Sequence, residues 1–72
     1  LMLRALKVGT VVSIISSVET FNGLVVPIPA GQYASGHEPK GLVYVLITSA
    51  GEFQGKSYPF QNDHVEIISE PS

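Results

Sequence analysis

The chain contains no cysteine and no tryptophan, and a single methionine. Without cysteine there is no disulfide framework, no thiolate metal site and no thiol nucleophile. The lack of disulfides fits a reducing compartment. Charge is scarce too: 14% of the residues are Asp, Glu, Lys or Arg, against an average of about 25%. The only basic side chains are Arg4, Lys7, Lys40 and Lys56, and the formal net charge is −2. Nucleic-acid binding needs several cations along one track to displace counterions from phosphates. Four scattered cations among six acids argue against such a partner. No apolar run approaches the roughly 18 residues that mark a membrane span, so no membrane partner is expected. The opening "LMLRALKVG" lacks the long apolar run of a signal peptide. Leu1 ahead of Met2 reads as an addition, with Met2 the natural start.

What the chain has is β-branched and apolar. Its 72 residues make one domain, and apolar residues supply 44% of them, enough for a folded core. Val and Ile together account for 15 residues. Helix formers are few and never fall at a 3.6-residue spacing, so an all-β fold is expected. A first strand is read over Leu6 to Val18, with Val8, Thr10, Val12 and Ile14 on one face and a bend at Gly9. Asn22-Gly23 between apolar residues predicts a hairpin turn, followed by a second strand over Leu24 to Ile28. Pro27 and Pro29 place the end of that strand on a sheet edge.

The segment Pro29 to Gly41 carries three glycines and two prolines and reads as an exposed loop. Gly41 to Ala50 is the strongest strand. Gly51 serves a tight turn, and Phe53 to Tyr58 forms a fourth, weaker strand. "PFQND" makes a turn or a short 3₁₀ turn, and "HVEII" is the fifth strand.

Five short strands with a tight turn before the last are the plan of a small SH3-like barrel. "KVGTVVSII" resembles the opening strand of SH3-like domains. "YVLITSAGEFQGKSYPFQNDHVEII" is similar to the C-terminal half of small SH3-like proteins of tailed, particularly marine, phages. The likeness is most specific at Tyr58-Pro59 and at His64-Val65-Glu66, and "VVPIPAGQYASGHEPKG" departs from it. It implies a five-stranded SH3-like barrel, core about residues 6–68, in a host cytoplasm or a virion. It implies no mechanism, because function resides in sites and not in folds.

The chemical candidates are Asp63, His64 and Glu66, with His37 and Glu38 in the long loop. A metal centre needs three or four convergent ligands with supporting neighbours. Only residue type recommends a His37–His64–Glu66 cluster. The plainer reading sends Val65 and Ile67 into the core, leaves His64 and Glu66 outside, and lets Asn62 or Asp63 cap the turn. No serine lies in a Gly-x-Ser-x-Gly elbow. "GQYASGHEPKG" does not lead into a helix N-terminus as a phosphate loop must. No enzymatic activity, metal or cofactor is therefore expected. A domain of this size also rarely holds a pocket of the ~300 Å³ that small ligands favour.

The informative feature is a surplus of apolar side chains. Leu42, Tyr44 and Leu46 fall on one face of the third strand, and Val43, Val45 and Ile47 on the other. One wet face should be polar, and a contiguous exposed apolar patch marks an interface. The expected function is a protein-interaction module without enzymatic chemistry: an oligomer, a virion component or a modulator of a host protein. Its contact residues are expected at Tyr33, Leu42, Tyr44, Leu46, Tyr58 and Phe60, with edge contacts near Pro27 to Pro29. A KOW-like RNA or ribosome contact, from the likeness of "VGTVVSI" to that motif, is the alternative. A metal-dependent enzyme is the third reading.

Overall fold

The computed structural model describes residues 6–71. It holds five antiparallel strands in one sheet: β1 (Val11–Ile15), β2 (Thr20–Val26), β3 (Leu42–Ile47), β4 (Ser57–Gln61) and β5 (Val65–Ser69). A 3₁₀ turn, Asn62–His64, precedes β5. The order across the sheet is β4-β3-β2-β1-β5. The fold is all-β, and this arrangement is consistent with an SH3-like plan. Leu1 and Met2 lie outside the described residues. Among the described residues no helix is long and apolar enough to cross a membrane.

Alternation builds the core. Val12 and Ile14 of β1, Val25 of β2, Val43, Val45 and Ile47 of β3 and Val65 of β5 pack as one buried cluster. Their registers agree: Val12 stands opposite Gly23 and Ile67, and Val25 opposite Val45. Val12 and Val45 are wholly buried. Thr10 is buried as well, its hydroxyl donating to the Lys7 carbonyl at 2.7 Å. Gly9 takes a positive φ of 99° in the turn before it. That is the expected bend, although it leaves Val8 exposed and off the shared face.

The predicted hairpin sits elsewhere. Asn22 and Gly23 lie inside β2, opposite Ser13 and Val12. The turn is Ser16 to Glu19. There the Ser16 hydroxyl donates to the Glu19 carbonyl at 2.6 Å and accepts the backbone N–H groups of Val18 and Glu19. A serine side chain that closes a turn in this way competes well with an Asn-Gly pair. Gly23 does not take a positive φ; it answers a demand for space. A Cβ there would run into Val45 Cγ1 and would lie 2.8 Å from the Leu46 carbonyl oxygen.

Two further boundaries move. β2 is central in the sheet and ends at Val26, so Pro27 to Pro29 follow the strand and do not form an edge. The fourth strand begins at Ser57, after a turn-rich loop, and runs through Pro59. Pro59 is tolerated because β4 is an edge strand, where a missing N–H breaks no ladder. His64 falls in the 3₁₀ turn and not in the last strand.

Replacing Gly23 by Ala overpacks the β2–β3 contact. The expected cost is about 1–3 kcal/mol, read as a lower urea midpoint with an unchanged slope.

Candidate functional site

The concave face of the sheet does not fill itself. An open groove of about 310 Å³ remains over it, so the domain does hold a space of the size thought rare for it. Ile14 and Ile47 form its floor, and Phe21, Phe53, Tyr58 and Phe60 form its walls. Ser16 closes one end. Its hydroxyl is occupied within the Ser16–Glu19 turn, so the surface it adds is carbon. The groove is apolar throughout.

Strand alternation supplies three of the aromatics. Phe21 stands opposite Ile14, Phe60 opposite Val43 and Tyr58 opposite Val45, all on the inner face. Phe53 comes from the loop between β3 and β4, which backbone bonds hold in place. Gly55 N–H donates to the Ile47 carbonyl at 2.9 Å, Ile47 N–H to Lys56 at 2.9 Å, and Lys56 N–H to Phe53 at 3.1 Å. Ser49 ties the loop to β2 by accepting the Asn22 N–H at 3.2 Å. Phe53 therefore meets Phe21 edge to face at a centroid distance of 5.6 Å, and Tyr58 at 6.0 Å. Such edge-to-face pairs add roughly 0.5–1.5 kcal/mol each beyond burial, so the groove wall is a fixed surface.

Of the six residues expected to make contacts, the structure brings two to this groove, Tyr58 and Phe60. Phe21 and Phe53 join them in the groove without having been among the expected contacts. Phe21 was masked by the misplaced hairpin, which put it at a turn instead of two residues from Gly23 on the inner face. Nothing local marks Phe53, because its place depends on the loop's bonds to β2 and β3.

Leu42, Tyr44 and Leu46 lie on the opposite, outer face. There Leu46 stands beside Leu24, which stands beside Val11, and Tyr44 lies between Val26 and Pro59. This row is real but largely covered. Tyr44 is only 6% exposed, and Leu42, Leu46, Leu24 and Val26 are half-buried. Tyr33, from the long loop, is half-buried and interacts with the Tyr44 hydroxyl. Desolvation, then the charge and hydrogen-bond influence of Tyr33, hold the Tyr44 phenol above its ordinary pKa.

The polar candidates stay apart. Asp63 Oδ1 and His64 Nε2 are 4.0 Å apart with both side chains about 70% exposed, a pair worth little in water. Glu66 is exposed on β5, and His37 and Glu38 are exposed in the loop. Among the described residues no group of three His, Cys, Asp or Glu could hold a metal ion. Asn62 is buried, and its N–H donates to the Gly41 carbonyl at 2.6 Å.

No family model, no curated protein and no solved structure matches the chain.

Tyr44 offers a direct check. Tyr44 is expected to ionise above the ordinary tyrosine range in a spectrophotometric or NMR titration, and Tyr44→Phe removes that step. A raised folded-state value means the unfolded chain loses this proton first. The stability it contributes is thus complete below the unfolded value of about 10 and is lost as pH rises through the folded value.

Proposed function

We propose that this protein is a protein-interaction module that works by apolar burial and not by catalysis. The observation that carries the reading is the aromatic groove: open to solvent, apolar throughout and walled by side chains fixed in edge-to-face contact. The four aromatics are half-buried against the core, so each forgoes only a part of the roughly 1.5–3 kcal/mol that full burial of a large apolar side chain gives. A domain that leaves four aromatics around an open groove gains most when a partner covers them. The groove offers no polar group to orient a charged or hydrogen-bonding ligand, so its occupant is an apolar side chain presented by a protein. Aromatic-walled pockets of this kind serve as anchoring points in interfaces.

The contact surface in this reading is the concave face, joining Tyr58 and Phe60 to Phe21 and Phe53. The outer residues Leu42, Tyr44 and Leu46, with Tyr33, hold the loop and the sheet together. The likeness at Tyr58-Pro59 and His64-Val65-Glu66, together with the strand order, supports an SH3-like barrel of phage type, working in a host cytoplasm or a virion. The open ladder order leaves hydrogen-bonded closure of the barrel outside that support.

Panning a random peptide library against the protein tests the function. Selected peptides are expected to carry large apolar anchors, to bind equally in 50 mM and 500 mM salt, and to lose at least tenfold in affinity to Phe53→Ala. Selection of RNA from a random pool, with binding that falls steeply with salt, would contradict the reading and favour the KOW-like alternative.

A further inference from the structure

Asn22-Gly23 lies inside a strand and makes no turn, yet the pair keeps its own chemistry. Asparagine is a thermolabile residue. Its side-chain amide carbon can be attacked by the backbone nitrogen of the next residue. Glycine there leaves the nitrogen unhindered and the backbone free to bring it close. The chain has no ready substitute for this glycine. Val45 Cγ1 and the Leu46 carbonyl oxygen occupy the place of a Cβ. Asn22 itself is exposed, so water reaches its amide, whereas Gly23 is buried.

The ladder keeps the reacting atoms apart. Backbone polar groups along an antiparallel strand alternate between its two flanks. On the β3 side, Asn22 N–H donates to Ser49 Oγ at 3.2 Å. The Asn22 carbonyl accepts Thr48 N–H at 2.9 Å and Ser49 N–H at 3.3 Å. On the other side, Val25 N–H donates to the Thr10 carbonyl at 2.9 Å. Gly23, two residues before Val25, therefore turns its N–H toward β1, where it stands opposite Val12. The Asn22 carbonyl and the Gly23 N–H belong to one rigid peptide plane. That plane is thus held at both ends. Attack needs it rotated, so that the nitrogen faces the Asn22 side chain. β2 is central in the sheet, so the rotation requires the strand to leave both β1 and β3.

We propose that Asn22 is a latent modification site, guarded by the folded sheet and converted to isoaspartate when β2 opens. The site is independent of the groove's role. In the opened chain the Gly23 nitrogen gives its proton to hydroxide and bonds to Asn22 Cγ. The Cγ–Nδ2 bond breaks, and ammonia leaves with a proton taken from water. Water then opens the cyclic imide at either carbonyl. Opening at Cγ gives aspartate with the ordinary main chain. Opening at the backbone carbon gives isoaspartate, whose main chain runs through Cβ and is one carbon longer. That carbon falls between Phe21 and Gly23 in a strand paired on both sides, so it upsets both registers. Aspartate at this exposed position leaves the ladder intact. The test is mass spectrometry of the full chain held at pH 8 across a urea series, with peptide mapping of the product. The gain of about one dalton at Asn22 is expected at a rate that follows the unfolded fraction seen by circular dichroism. Without urea the rate is expected to be at least about 100-fold below that of the unfolded chain. Asn22→Gln, held in urea, is expected to lose the gain, because its ring would be one atom larger. Once urea is removed, chains with aspartate at this position are expected to refold and isoaspartate chains are not. A rate that ignores the unfolding transition overturns the proposal. So does a gain that persists in Asn22→Gln, or isoaspartate chains that refold as readily as unmodified ones.

Discussion

Three residues, Asn62–His64, connect strands that lie at opposite edges of one five-stranded sheet. Laid flat, those edges would be four strand spacings apart, roughly 19 Å. Four Cα steps in a 3₁₀ turn advance only about 8 Å. The sheet must therefore curl until the end of β4 meets the start of β5. Asn62 is the pin at that corner, buried and bonded through its N–H to Gly41 at the entrance to β3. The buried valines, the inward aromatics and the open groove all follow from this curl.

The curl also explains why two apolar faces coexist in so short a chain. On the concave side the valine cluster fills the middle of the sheet, and the aromatics of β2, β4 and the β3–β4 loop ring the part it does not reach. On the convex side the row through Val11, Leu24 and Leu46, and the row through Val26, Tyr44 and Pro59, shield one another across the strands. The long loop adds Tyr33 over Tyr44. The surplus on both sides is thus partly spent inside the fold; what distinguishes the concave side is that its half-buried aromatics line an open groove.

Much of the core was legible in the residues themselves. The run Leu42–Ile47 reads as a strand, and the alternation that groups Val12 with Ile14, and Val43 with Val45 and Ile47, separates out residues that the structure buries together. Val65 was likewise placed inward, at the start of the last strand. What stayed hidden depended on contacts distant in sequence. Gly23 resembles a turn glycine, yet it is there because Val45 and Leu46 approach its Cα from the next strand. Pro59 resembles a strand breaker, yet the edge position of β4 makes it harmless. Phe53 acquires its role only after the loop is bonded to β2 and β3. The tempting Asp63, His64 and Glu66 turned out to be solvated residues around a corner whose work is geometric.

The most direct measurement of the central claim is an aromatic and methyl NMR titration with a library-selected peptide, because it reports on both apolar faces at once. Ring resonances of Phe21, Phe53, Tyr58 and Phe60 are predicted to move together as the peptide is added, while Tyr44, Leu42 and Leu46 stay fixed. Movement confined to Leu42, Tyr44 and Leu46, with the groove resonances unchanged, would contradict the account and place the contact surface on the convex face.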